Sequence, residues 1–275
     1  MKSFSLPGFN AEYTLLGGQA FNWIKSGDYY YGVFEEFILK IHYSNNKLYW
    51  TSFPKINDEI VEKLFRIDFD YIQMQNELSK FPELYQAVKE KFGLRLLKQH
   101  FDQTLVSFIV SQNSNIPKIK RSLNLISKKI GKNISFDGME FYLFPKLTDL
   151  HKLSETDLLE TGIGYRAKYL KNSIEKVLEN RLSQSIHSYS YEEAKHQLLK
   201  LYGVGDKVAD CILVFSLAYD HITPIDLWAK RAITNLYGIE DKISNYELQK
   251  YFQKRFKNYS SWAGQFLFEY FRTTK

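Results

Sequence analysis

Lys207 stands two residues after a Gly-Val-Gly turn, Gly203-Val204-Gly205, and Asp226 follows 19 residues later in Thr223-Pro224-Ile225-Asp226. A lysine amine beside a carboxylate is equipment for covalent catalysis: the amine attacks an electrophilic carbon, and the carboxylate steadies the positive charge that develops. To attack, Lys207 must be neutral, yet at an ordinary pKa near 10.4 only roughly one lysine in 2,500 is neutral at pH 7. A helix N-terminus lowers that pKa because its partial positive charge disfavours the ammonium, and partial burial acts the same way. The run from Val208 to Ala218 is apolar nearly all round, which predicts a buried helix with Lys207 at its start. Asp226 is placed to N-cap a helix from Leu227 to Tyr237, where backbone N–H groups hold a carboxylate ionised. The glycine turn also bares N–H groups at a helix N-terminus, a natural seat for a phosphate. Each feature alone has a plainer reading: a glycine cap between two helices, a solvated lysine, an ordinary helix cap.

The chain that must position these residues has 275 of them, 44% hydrophobic and 16% aromatic, enough for real cores in one large or two modest domains. Its net charge of +6, from 37 basic and 31 acidic residues, permits a polyanionic partner without demonstrating one. One cysteine, Cys211, excludes an intramolecular disulfide and any cluster held by several thiolates, and an intracellular, reducing compartment such as cytoplasm or nucleoid fits. No signal-like apolar run opens the chain and no stretch of eighteen apolar residues follows, so a soluble protein, not secreted and not membrane-bound, is expected.

Period-two alternation in Tyr29–Phe34, Phe37–Tyr43 and Lys47–Thr51, with turns at Glu35-Glu36 and Ser44-Asn45-Asn46, predicts an antiparallel meander. Phe37, Leu39, Ile41 and Tyr43 share one face, which a helix or second layer must cover. Helical patterning begins near Glu59 and is nearly unbroken from Lys98. Capping boxes mark helix starts at Ser154/Asp157, Ser190/Glu193 and Ser244/Glu247. Ile119, Leu123, Ile126 and Ile130 form one helical stripe. The fold class expected is α+β: a sheet domain with flanking helices over 1–95, then an all-α, two-lobed region over 96–275 with the site in the cleft between lobes.

Four segments occur in a telling order: Gly18-Gln19-Ala20-Phe21-Asn22-Trp23, Ser107 to Ile116 with its Gln-Asn-Ser-Asn helix end, Gly162-Ile163-Gly164-Tyr165-Arg166-Ala167, and Val204 to Cys211. With Asp226, this set resembles the helix-hairpin-helix DNA glycosylases, and within them the 8-oxoguanine DNA glycosylases that carry an N-terminal sheet domain. The resemblance covers most of the chain. It implies that Lys207 is the nucleophile at C1′ of a flipped nucleotide, that Asp226 stabilises the transition state, and that the Gly203-Val204-Gly205 hairpin binds phosphate. It further implies a base pocket in which the Gly18 carbonyl meets the N7 hydrogen of 8-oxoguanine while Cys211 and Phe268 sandwich the ring. Asn113 would fill the gap left in the duplex, and Tyr165 and Arg166 would contact the orphaned base, with Lys118 beside them.

Three positions depart from the pattern. The glutamine that reads the Watson–Crick edge falls on Gly264, with Gln265 one residue late; a phosphate-binding histidine is Trp228; and an arginine that helps read the opposite cytosine is Lys118. Lysine lacks the planar fork of arginine, so weaker discrimination for cytosine opposite the lesion is expected. A smaller branch reads the base with a C-terminal lysine; Lys275 matches it, although chain ends are usually mobile. The six histidines show no HExxH or similar spacing, so no catalytic metal and no required cofactor is expected; the resemblance implies room for a monovalent cation at the hairpin carbonyls. The expected partner is duplex DNA containing a damaged base, met by a monomer. Two other readings stand beside this one: a monofunctional glycosylase for alkylated bases that uses water, and a non-catalytic helix-hairpin-helix DNA-binding module.

Overall fold

The computed structural model of the protein describes residues 1–225, 230 and 243–273. Asp226 with the helix it was expected to cap, Trp228 and Lys275 lie outside the described residues. Five antiparallel strands, β1 (Lys2–Ser5), β2 (Trp23–Ser26), β3 (Tyr29–Val33), β4 (Ile38–Ser44) and β5 (Lys47–Phe53), form a sheet in the order β1-β5-β4-β3-β2. The β4–β5 turn closes on Asn45 and Asn46, both at positive φ (51° and 58°), the geometry that a two-residue hairpin needs and that asparagine tolerates best among side chains. Leu39 and Ile41 pack with Trp23, Leu48 and Trp50, partly covered by Phe37 and Tyr43, beneath Val61, Leu64 and Phe65 of α2 (Asp58–Phe65). The predicted covering layer is therefore that helix. A short helix, α1 (Ala11–Leu15), precedes β2.

The helical region is not purely helical. A hairpin of β6 (Asn133–Phe136) and β7 (Met139–Tyr142) turns on Asp137-Gly138, both at positive φ, and covers the other face of the large sheet, where Ile134, Phe141 and Leu143 meet Tyr31 and Ile38. The Asp-Gly pair between alternating residues was the signal for it, but four-residue strands are too short for period two to stand out.

Helices α3 (Tyr71–Ser79) and α4 (Pro82–Glu90) pack into the same core as α5 (Phe101–Ser111), α6 (Ile116–Ile130), α7 (Leu147–Leu150), α8 (Glu155–Leu158) and α9 (Arg166–Glu179). That core continues through α10 (Leu182–Ser185), α11 (Tyr191–Leu199), α12 (Asp206–Leu217), α13 (Asn245–Phe256) and α14 (Ser260–Thr273). All three capping boxes form with both halves present. The predicted stripe on α6 is buried at Ile119, Leu123 and Ile126, with Ile130 packed at its edge. At the centre α5 and α12 lie side by side, and the rings of Phe108 and Phe215 stack with centroids 5.4 Å apart. Every residue of α12 from Val208 to Ser216 is buried, so Lys207 emerges from a rigid rod. No helix among the described residues is long and apolar enough to cross a membrane.

Candidate active site

The two hairpin glycines are required for different reasons. Gly203 sits at φ +78, and a Cβ there would meet ring carbons of Tyr169 at 2.3 and 2.4 Å. Gly205 N-caps α12 at φ −99 with open space around it, so its lack of a side chain keeps the surface bare. Val204 is buried between them and anchors the turn. Tyr165, Tyr169 and Tyr202 form a row of edge-on rings, 5.3 and 5.2 Å between centroids, that runs from the start of α9 to the hairpin.

Asp210, one turn after Lys207, is buried and accepts from Tyr191 Oη (2.7 Å), Gln249 Nε2 (2.6 Å) and Lys195 Nζ. A buried carboxylate is costly unless paired and hydrogen-bonded, and these three partners meet that need. Burial pushes the Asp210 carboxyl up, against the pull of Lys195 and the hydrogen bonds. Gln249 also donates to the Thr223 carbonyl (3.2 Å), so α12 is tied to the Thr223-Pro224-Ile225 segment that leads to Asp226.

A cavity of about 410 Å³ opens between α5, α6, α12, α14 and the residues that precede β2. Lys207 and Cys211 reach it from α12, Gln265, Phe268 and Arg272 from α14, and Gly18 from the N-terminal segment. Five expected site residues, distant in sequence, thus share one cavity: Lys207, Cys211, Gly18, Phe268 and Gln265. The Lys207 ammonium is 5.6 Å from the centroid of the Phe108 ring, and Cys211 is buried. Gly18 is at φ +86, and a Cβ on it would touch Ile116 at 3.0 Å and Phe268 at 3.3 Å. It is held there by its neighbour: Gln19 is buried, donates to the Arg95 carbonyl (2.7 Å) and accepts from the Leu97 N–H (2.9 Å). This explains the glutamine of the Gly-Gln-x-Phe-x-Trp element. Thr223 and Pro224 also line the cavity.

The expected opposite-strand residues gather at the end of α5 and the start of α9. Asn113 is exposed at φ +46, and Asn115, not Asn113, caps α6 through the Lys118 N–H (3.0 Å). Lys118 and Tyr165 are exposed. Arg166 is not: it is buried and donates to the carbonyls of Gln112 (2.5 Å), Ile163 (2.7 Å) and Asn113 (2.9 Å). Its fork therefore braces the backbone that presents Asn113. The turn before it needs glycine at Gly162 and Gly164, both at positive φ.

Sequence reasoning missed Arg272. It follows Gln265 and Phe268 at helical spacings of seven and four, but a stripe of that kind looks like core until a cavity is seen beside it. Also unforeseen were Glu35, His100 and Asp102, whose possible ligand atoms lie within 4.8 Å of one another; none lines the cavity.

Residues 106–258 match the family described as HhH-GPD superfamily base excision DNA repair protein, and the chain belongs to that superfamily. Residues 3–105 match the 8-oxoguanine DNA glycosylase N-terminal domain. The chain superposes on the 8-oxoguanine glycosylase/lyase of Clostridium acetobutylicum, solved in complex with double-stranded DNA containing cytosine opposite 8-oxoguanine, with a TM-score of 0.91. That likeness has 32% identity and covers 97% of this chain and 92% of the other. The N-glycosylase/DNA lyase of Saccharomyces cerevisiae is 34% identical over 160 residues, 54% of this chain and 43% of the yeast protein. N-glycosylase/DNA lyase OGG1 of Arabidopsis thaliana is 27% identical over 276 residues, 93% of this chain and 75% of the plant protein. The chain thus spans less than half of the yeast relative's length.

Proposed function

We propose that this protein is a bifunctional DNA glycosylase and abasic-site lyase that excises 8-oxoguanine from duplex DNA, acting as a monomer inside the cell. The observation that carries the proposal is Lys207 in one cavity with Gly18, Cys211 and Phe268. A cavity of about 410 Å³ suits a purine, and reaching it requires the nucleotide to leave the stack. Cys211 and Phe268 take the two faces of the base, and the Gly18 carbonyl accepts the N7 hydrogen that guanine lacks.

Neutral Lys207 Nζ attacks C1′ as the C1′–N9 bond breaks; the bonding pair leaves with the base, which is then protonated. Asp226, proposed as an ionised carboxylate, stabilises the oxocarbenium-like charge on the sugar. Opening of the sugar ring gives an iminium at C1′. Loss of a C2′ proton then expels the 3′ phosphate, and water hydrolyses the iminium to release Lys207. The hairpin N–H groups of Gly203 and Gly205 seat a backbone phosphate at the positive end of α12, while Val204, expected to join them, donates its N–H to the Leu201 carbonyl (3.2 Å) and instead anchors the turn. Carbonyls of the same turn, neutral oxygen donors, suit a monovalent cation that would polarise those N–H groups, and no bond-making step runs through it. Asn113 fills the vacated position and Tyr165 wedges beside the orphaned base, with Lys118 near it and Arg166 acting through the Asn113 backbone that it braces. Lys118 gives weaker selectivity for cytosine than an arginine fork.

Borohydride trapping on an 8-oxoguanine duplex, wild type against Lys207→Gln, tests the reading. A reduced adduct in the wild type alone supports it. Base release without an adduct in the wild type would instead indicate water as the nucleophile, and DNA binding without either reaction would indicate a binding module.

A further inference from the structure

The cavity needs a donor for the Watson–Crick edge of its base, and the position where the family pattern puts one cannot supply it. A Cβ on Gly264 would meet Thr223 Cγ2 at 2.4 Å, and Thr223 is itself buried and fixed by a hydrogen bond from its Oγ1 to the Ser260 carbonyl (2.5 Å). One residue on, Gln265 is buried with its amide nitrogen directed at the Gly17 carbonyl, 3.5 Å away. That amide faces the N-terminal segment.

Arg272 lies on the same side of α14, one turn beyond Phe268, and lines the cavity. Its guanidinium is clamped edge-on by Glu269, with Nε to Oε2 at 3.0 Å and Nη2 to Oε1 at 2.5 Å. The Glu269 side chain is 1% exposed, so its charge has to stay paired and the fork is held in one orientation. A guanidinium has five N–H groups, and this pairing engages two of them, so three remain for an acceptor in the cavity. Lys120 stands close enough that the Arg272 charge, after burial, helps push its ammonium down to about 8. Lys120 itself lies outside the cavity lining, and it is the remaining Arg272 N–H groups that suit a base edge presenting carbonyl oxygen.

We propose that Arg272 is a specificity-determining residue, donating N–H bonds to the O6 carbonyl of the flipped 8-oxoguanine in the role that Gly264 leaves vacant. Adenine-type bases carry an amino group at that position, which a guanidinium cannot accept from. Arg272 therefore selects a 6-oxo purine over a 6-amino purine, while Gly18 reads the N7 hydrogen common to both 8-oxidised bases. The assignment rests on the glycosylase reading above.

Single-turnover excision of 8-oxoguanine and of 8-oxoadenine, each opposite cytosine, is measured beside strand cleavage at a preformed abasic site. The proteins are wild type, Arg272→Gln, and the double variant Glu269→Gln/Arg272→Met, which leaves no unpaired buried charge. The wild type is expected to prefer 8-oxoguanine, and both variants to lose roughly 10- to 100-fold of that preference, the range of a charge-assisted hydrogen bond. Abasic-site cleavage, which involves no base, stays within about twofold, showing that the lysine chemistry and the fold are intact. An unchanged 8-oxoguanine to 8-oxoadenine ratio in the double variant, with abasic cleavage intact, would overturn the assignment and leave the Lys207 mechanism standing. A wild type that cleaves neither substrate would overturn the glycosylase reading itself.

Discussion

Replacing Gly264 by alanine puts a methyl group where Thr223 already stands. The new Cβ would lie 2.4 Å from Thr223 Cγ2 but 3.5 Å from Thr223 Cβ and Oγ1, so a single methyl group causes the whole conflict. Relief requires roughly 1 Å of movement by a buried residue anchored to the Ser260 carbonyl, and overpacking of this kind costs about 1–3 kcal/mol. The helix gains about 1 kcal/mol from alanine over glycine, which leaves a net loss of about 0–2 kcal/mol, centred near 1. Thr223→Ser removes the offending methyl, keeps the hydroxyl, and alone costs about 1 kcal/mol for the void. Together the two changes exchange one methyl group for another, so Gly264→Ala/Thr223→Ser should be within about 0.5 kcal/mol of wild type. The coupling energy is then about 2 kcal/mol, read from urea denaturation of all four proteins. Additive losses, with coupling under about 0.5 kcal/mol, would show that Thr223 does not exclude a side chain at 264 and would remove the reason for seeking the edge donor elsewhere.

Gly203→Ala combines a left-handed backbone with a collision against Tyr169 and should cost at least about 2 kcal/mol and weaken DNA binding, whereas Gly205→Ala, at ordinary φ in open space, should cost under about 1 kcal/mol. Asp210→Ala removes the acceptor of the Tyr191 hydroxyl and the buried partner of Lys195 and Gln249, which keep Asp206 and the Thr223 carbonyl, and denaturation should show a loss of at least about 2 kcal/mol. Burial first, then the charge of Arg272, holds the Lys120 ammonium down at about 8, so between that pH and its ordinary range the unfolded chain binds the extra proton. Stability from this group therefore rises as pH climbs from about 8 toward 10.5, by about 1–2 kcal/mol after allowing for partial exposure, and Lys120→Met should abolish that rise in melts taken across the interval.

The features that could be read from sequence are those encoded locally. Ser154, Ser190 and Ser244 announce helix starts because a capping box is completed within three residues. The hairpin was equally visible, since Gly203 and Gly205 stand where a turn must form. The second hairpin escaped because its strands are four residues long and its apolar face is defined only by the sheet it covers. Asp210 is within the hairpin motif, yet its partners Tyr191 and Gln249 are 19 and 39 residues away, and only the fold makes them neighbours. Arg166 shows the limit of a motif most plainly. Its position in the turn was evident, but its bonds to the carbonyls of Gln112 and Asn113, more than 50 residues distant, make it a brace for Asn113.

The proposed mechanism turns on one bond, between Lys207 and C1′ of the damaged nucleotide. It is tested by reducing the reaction on an 8-oxoguanine duplex with borohydride, digesting the adduct and locating the modified residue by mass spectrometry. A deoxyribose-derived mass is expected on the peptide containing Lys207 and on no other. Modification of a different lysine, or base release with no modified peptide, would contradict it.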